Sequence, residues 1–373
     1  MNIVMVLPYL KAGGTERQAS YIVNDLIGKG NNVLTISIEY KNQFEPLFKG
    51  PVRYLKSSNH NVWLLFNVVL LVRQIKQFKP DILISRAWNT NLLCVITSLI
   101  TKVPSVVFLS GSIDLSHHSR LKRWIHRFVM SHSARIISVS KASKVNCMKW
   151  LNVPDEKIVV IQNGVDPEEL SVLAEEPADL PEDLITDFPT VVFVGRLNHR
   201  KGVDVLLHAL SKVIEAGKKV NLLIVGHGEA IEEYVDLKKK LNLEPFVYFV
   251  GEKQNPFPYI KFGDIFVLPS RSEGFPNVLL EAMALNKAVI ASNCKTGPNE
   301  IIDGENGTLV AVEDSNMLCE KIISYLDDSQ LSTKHAENAK NTITFYFNLE
   351  IQLNKVESVL KLVNRENWEK GFV

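Results

Sequence analysis

Cysteine is scarce in this chain of 373 residues: only Cys94, Cys147, Cys294 and Cys319 occur, with no C-x-x-C pair. That spacing argues against a disulfide framework and a cysteine zinc site, and points to buried, reduced thiols. Long apolar runs are missing too. The longest, residues 62–72, is broken by Asn67 and falls short of the roughly 20 residues a membrane-spanning helix needs. The apolar residues 3–7 have no basic stretch before them and no small-residue cleavage site after them, so a cytosolic protein is expected. No low-complexity segment occurs, and G-x-G-x-x-G does not follow the opening apolar run, which argues against a dinucleotide dehydrogenase.

The net charge is almost nil, yet it is split along the chain. Residues 1–165 hold 21 lysines and arginines against 8 acids, a balance of +13; residues 166–373 hold 21 against 33, a balance of −12. A basic first half suits an anionic membrane, nucleic acid or anionic substrate, and attraction between the two halves is the plainer alternative.

Each half opens alike. Residues 3–7 read as a buried strand, followed by a loop with Gly13-Gly14, a helix over 16–27 and a strand over 33–38. Strand 191–194, a loop from Gly195, helix 203–216 and strand 222–225 repeat the unit. Such β-α-β units demand parallel sheets with helices on both faces. Further strands are expected at 81–85, 105–109 and 135–139, then at 247–250, 265–268, 288–291 and 308–310. The prolines and acids of 163–189 read as an exposed linker. The fold class is therefore α/β: two doubly wound, Rossmann-like domains facing across a cleft, with ligands at the carboxyl ends of the strands. The domains are set at 1–166 and 167–349, and a terminal helix, about residues 350–373, is expected to pack back on the first.

Four loops of the second half carry chemistry. After strand 265–268 comes Ser270-Arg271-Ser272-Glu273-Gly274-Phe275-Pro276-Asn277-Val278, then Glu281. Pro276 suits a first helical turn, whose free N–H groups and dipole favour a phosphate. Glu273 and Glu281 can then reach neutral hydroxyls; a capped helix with two solvated acids is the alternative. After strand 191–194, Gly195-Arg196 and Lys201 offer a guanidinium fork and a point charge for phosphate. Two cations at a helix start oppose its dipole unless an anion joins them. The turns Gly226-His227-Gly228 and Thr296-Gly297-Pro298 end neighbouring strands.

In the basic half, residues 120–130 have helical period, with Arg120, Lys122, Arg123 and Arg127 around Leu121, Trp124, Ile125 and Phe128. Such a helix can lie on an anionic membrane; the alternative packs Trp124 and Phe128 inward. Residues 62–72 with Arg73, Lys76 and Lys79 are a second membrane candidate. His117, His118, His126 and His132 read as surface residues.

Together, Gly195-Arg196…Lys201-Gly202, Glu273-Gly274-Phe275-Pro276-Asn277…Glu281 with its E-x7-E spacing, Gly13-Gly14-Thr15-Glu16 and Gln162-Asn163-Gly164-Val165-Asp166 resemble the retaining nucleotide-sugar glycosyltransferases of family 4, with the GT-B fold. Asn255-Pro256-Phe257-Pro258-Tyr259 and Thr296-Gly297-Pro298 look most like members that build bacterial surface or lipid-linked glycans. The resemblance implies a hexosyltransferase using a UDP-sugar, with an acceptor-side first domain and a nucleotide-sugar-binding second domain. Arg196 and Lys201 would hold the donor diphosphate, Glu281 the ribose and Glu273 the donor sugar. Gly14, Gly195, Gly226, Gly274, Phe275, Pro276, Asn277 and Val278 would line the donor, and Gly13, Thr15, Ser110 and Gly111 the acceptor side. No D-x-D occurs, so neither metal nor other cofactor is expected. Where many members carry a His, this chain has Leu109-Ser110-Gly111-Ser112. A nucleotide-sugar epimerase or hydrolase of the same fold is a second reading, and the missing His motivates a third, a catalytically silent binding subunit of a glycan-assembly complex. The implied place is the cytosolic membrane face, with no nucleic acid partner.

Overall fold

A computed structural model describes residues 1–11, 13–55, 63–111 and 119–369. His117, His118, Ser112, residue 62 and residues 370–373 lie outside the described residues. The chain divides into two compact units, residues 1–163 with 351–373 and residues 164–350.

The first unit holds a seven-stranded parallel sheet. Its strands are β1 (Asn2–Leu7), β2 (Asn32–Ser37), β3 (Val52–Tyr54), β4 (Ile82–Arg86), β5 (Ser105–Leu109), β6 (Arg135–Ser138) and β7 (Ile158–Val160), in the order β3-β2-β1-β4-β5-β6-β7. Residues Ile3 to Leu7 are all fully buried. A strand covered on both faces by helices reads as a continuous apolar run, which is why the pattern does not alternate. Order reverses between β1 and β4, the point where open parallel sheets leave a crevice. The terminal helix, Leu349–Glu369, packs on this unit through Lys29 with Glu357 (3.4 Å) and Arg135 with Glu366 (2.5 Å).

The second unit has six parallel strands, β8 (Thr190–Val194), β9 (Asn221–Val225), β10 (Val247–Gly251), β11 (Ile265–Leu268), β12 (Ala288–Ser292) and β13 (Thr308–Val310), ordered β10-β9-β8-β11-β12-β13. Its order reverses between β8 and β11, so the 195–202 and 269–277 loops leave adjacent strands at the switch point. Residues 163–189 are not a bare linker. They contain a helix, Pro167–Leu173, capped by Asp166, and Asn255 Nδ2 donates to Leu173 O at 2.7 Å. Acids and prolines at a helix start give the composition of a linker without being one.

Candidate active site

The 195–202 loop folds back because its glycines admit close backbone approach. A Cβ on Gly226 (φ +143) would lie 2.0 Å from Gly195 O, and one on Gly202 (φ +67) 2.1 Å from Pro269 O. Gly202 thereby presses the β8 loop onto the β11 loop, and a 3-10 turn, His199–Lys201, aims Lys201 at the second loop.

Lys201 Nζ donates to Glu273 Oε1 at 2.6 Å, Ser270 Oγ donates to the same oxygen at 2.6 Å, and Arg200 Nη1 reaches Oε2 at 3.3 Å. Burial would raise the Glu273 carboxyl, but the charges of Lys201 and Arg200 and the hydrogen bonds hold it below its ordinary range. Glu273 and Glu281 are 6 % and 9 % exposed, so the reading of two solvated acids fails. Lys201 is largely buried as well, its side chain 12 % exposed. Arg196 is exposed and forms no ion pair among the described residues.

A helix, Asn277–Ala284, opens the second wall. Pro276 is its N-cap, with extended backbone, rather than a residue of the first turn as the sequence suggested; the helix starts at Asn277, and no side chain caps it. The positive end of its dipole therefore faces out of the strand ends. Phe275 is buried against Phe347, ring centroids 5.8 Å apart. Thr296 Oγ1 donates to Glu273 O, and a Cβ on Gly297 would lie 2.8 Å from Pro276 Cδ. Gly274, Asn277 and Val278 are half-buried.

Two residues that sequence reasoning passed over bind these loops together. Arg271 forks onto Asp204, Nη1 to Oδ1 at 2.8 Å and Nη2 to Oδ2 at 2.6 Å, and Nη1 also reaches His199 O at 2.6 Å. Arg271 stood within the quoted loop, but its partner lies 67 residues away.

In the first unit, Gly14 opens a helix, Gly14–Gly28, with Gly13 as N-cap and Thr15 half-buried in its first turn. Ser110 follows β5, and Gly111 after it is exposed. Between them, at the end of β4, stands Arg86, only 1 % exposed. A charged residue closing an apolar strand was the available signal. The basic helix is observed as Arg120–His132. Its Trp124 is 62 % exposed, so that side chain does not pack inward, whereas Phe128 joins Val129 and Met130 against the core. His126 is not a surface residue as expected: it stacks on Trp88 with ring centroids 3.5 Å apart, which draws the imidazole into the fold.

Two parallel-sheet Rossmann-like units, with an acid–cation cluster and an uncapped helix at one switch point, define the class. Family models agree: glycosyl transferases group 1 matches residues 177–342, and glycosyltransferase family 4 matches residues 12–169. The chain is a GT-B glycosyltransferase of the group 1 and family 4 type, a transferase enzyme. Among its relatives, the capsular polysaccharide biosynthesis glycosyltransferase CapM of Staphylococcus aureus is 23 % identical over 365 residues, 87 % of this chain and 96 % of the relative. An N-acetylgalactosaminyltransferase of Campylobacter jejuni, whose name gives a diphospho-undecaprenol glycan as acceptor, is 26 % identical over 279 residues, 74 % of this chain and 72 % of the relative. Anabaena HepE, solved with UDP and glucose, superposes with a TM-score of 0.83 at 21 % identity, covering 97 % of this chain and 99 % of that one.

Proposed function

We propose that the chain moves a hexose or N-acetylhexosamine from its UDP-sugar to a hydroxyl of a lipid-linked or glycan acceptor in cell-surface polysaccharide synthesis, with retention and without a metal. The observation that carries this is the cluster at the second unit's switch point. An exposed Arg196, Lys201 held by Glu273 at 2.6 Å, and the uncapped start of the Asn277–Ala284 helix surround one loop pair. Cations and the positive end of a helix dipole together suit a diphosphate. The CapM and Campylobacter relatives support the acceptor class, and the HepE complex supports a uridine nucleotide.

In this reading Arg196 and Lys201 take the diphosphate, Glu281 the ribose hydroxyls and Glu273 the donor-sugar hydroxyls. Backbone near Gly274, Phe275, Asn277 and Val278 lines the donor, while Pro276 has no N–H to give. The leaving diphosphate oxygen accepts the acceptor hydroxyl's proton as the anomeric bond loosens, so the new bond forms on the same face. Fixed cations and the helix start stabilise the charge that develops there. The exposed basic helix of the first unit would rest on the anionic inner face of the membrane.

Turnover of a panel of UDP-sugars with membrane lipid extract, read by mass spectrometry of the lipid product, tests this. Release of free sugar alone would instead make the chain a hydrolase, and UDP binding without turnover a silent subunit.

A further inference from the structure

Arg86 is the least satisfied charged residue among those described. It is 1 % exposed, yet its Nε and Nη1 find no hydrogen-bond acceptor. Nη2 reaches only Asn163 Oδ1, at 3.4 Å, an oxygen that Gln352 Nε2 approaches at 3.5 Å. The guanidinium lies over the Phe108 ring, 4.4 Å from its centroid, which occupies its flat face but leaves its edge donors unmet. A buried arginine kept for structure normally has these donors paired, because each orphaned group carries its full desolvation cost.

A second orphan stands on the adjacent strand. Arg86 is registered with Phe108 across β4 and β5, and Ser110 lies two residues further on. Ser110 Oγ is buried without a partner. Both residues therefore end adjacent strands beside the crevice where strand order reverses. Glu16 is the acid that faces Arg86, in the first turn of the Gly14–Gly28 helix. Its carboxyl is turned back on Gly13, where a Cβ would lie 2.6 Å from Oε2, and burial pushes it up to about 7. Arg86 is thus only partly neutralised at neutral pH. Ala87, next in the chain, holds φ 87 and ψ 150, a conformation that side chains rarely adopt and that persists where surroundings impose it.

We propose that Arg86 and Ser110 bind an oxyanion group of a substrate, a phosphate or a carboxylate, at the carboxyl ends of β4 and β5. The guanidinium edge supplies two N–H donors, the serine an O–H donor, and the anion completes the countercharge that Glu16 provides in part. The inference rests on the transferase reading only for what the substrate is. There, the oxyanion is the phosphate of a lipid-linked acceptor or the carboxylate of a uronic acid, and it sets specificity away from the donor clamp.

The test is thermal unfolding of the full chain in saturating UDP, so that any phosphate site in the second unit is filled. Inorganic pyrophosphate, glucuronate and neutral glucose are added in turn. Wild type is expected to gain about 2–4 °C with pyrophosphate and nothing with glucose, as ligand linkage requires. A gain with glucuronate alone keeps the site and assigns it to a carboxylate. In Arg86→Met the anion shift should vanish while the UDP shift remains. Without ligand that variant should melt no lower than wild type, since an apolar side chain of similar length leaves no orphaned donor. Ser110→Ala, which risks the fold less, should reduce the anion response at least several-fold. An anion shift that survives in both variants, or that wild type never shows, overturns the site. Loss of the UDP shift in wild type counts against the donor reading instead, and leaves the Arg86 comparison to be decided on its own.

Discussion

Lys201 Nζ and Glu273 Oε1 meet at 2.6 Å across the boundary between the β8 and β11 loops. The pair is buried on both sides, with side chains 12 % and 7 % exposed. Glu273 thus fixes where the Lys201 ammonium points, and an anion bound to Lys201 would have to compete with this carboxylate.

The first prediction separates the two cations of the clamp. Lys201→Ala should lower kcat by about 10²-fold or more, as loss of a donor to developing charge typically does. It should also destabilise the fold by about 1–3 kcal/mol, because the buried Glu273 carboxylate keeps only Ser270 and the half-exposed Arg200. Arg196→Ala should cost similarly in kcat with stability changed by about 0.5 kcal/mol or less, since Arg196 is exposed. Paired denaturation curves and steady-state kinetics read both. Equal stability of the two variants would mean that the ion pair does not hold in solution.

Much of the fold could be read from apolar runs, and the reasons mark the limits. Buried strands such as Ile3 to Leu7 announce themselves because both faces are covered. β3 and β7 did not: each has three residues, and the exposed Arg53 interrupts the first. The loops of the site were legible from glycines that only a close approach explains. The pairing of Lys201 with Glu273 was not, because 72 residues separate them and only the β8–β11 adjacency joins them. Arg86 was passed over for a similar reason. A strand-end arginine shows its unmet donors only when every neighbour is in place.

A second prediction concerns Gly202. Alanine there combines φ +67 with a Cβ 2.1 Å from Pro269 O, and backbone cannot yield as a side chain would. Gly202→Ala should cost roughly 2 kcal/mol or more and lower kcat by displacing Lys201. Gly217→Ala is the control: φ is +81 but nothing lies within 4 Å, so about 1 kcal/mol and an unchanged kcat are expected. A Gly202→Ala enzyme as stable and active as the control would remove the close approach from the account.

The third follows from Glu16. Its carboxyl is raised to about 7 by burial, against the partial relief of Arg86. An acid with a raised folded-state pKa binds more protons folded than unfolded, so stability falls as pH rises from about 4.5 to about 7. The loss is on the order of 3 kcal/mol when complete. Glu16→Gln should lack this component, so wild type should lose stability relative to the variant between pH 5 and 8 by roughly that amount. Parallel stability profiles would show that the carboxyl titrates normally.

The fourth is metal independence. With Arg196 and Lys201 as the counter-charges of the diphosphate, EDTA should leave the transfer rate almost unchanged. A rate lost to EDTA and restored by manganese would put a divalent ion in the mechanism and reduce the two cations to supporting roles.

The last prediction concerns the surface of the first unit. On the Arg120–His132 helix, Leu121 and Trp124 are 66 % and 62 % exposed, among the exposed Arg120, Lys122 and Arg127 and the half-buried Arg123. Two large apolar side chains left in water between cations are what an interfacial helix presents to anionic lipid. The protein should therefore pellet with anionic vesicles at low salt and much less with neutral ones, and salt should release it, since surface charges are screened over about 8 Å at physiological ionic strength. Replacing Arg120, Lys122, Arg123 and Arg127 by Ser should weaken binding by several kcal/mol, at about 1 kcal/mol for each residue that reaches the surface. Trp124→Ala should weaken it further without loss of stability, because the ring is not part of the core. Transfer to a soluble acceptor should continue in both variants, the clamp residues being in the second unit. Should vesicle binding persist in the quadruple variant, the contact passes to the Trp63–Phe78 helix, where Leu65, Phe66 and Val69 are 72 %, 51 % and 67 % exposed ahead of Arg73 and Lys76. Should wild type bind no vesicle at any salt, a soluble glycan acceptor is favoured and the membrane reading fails.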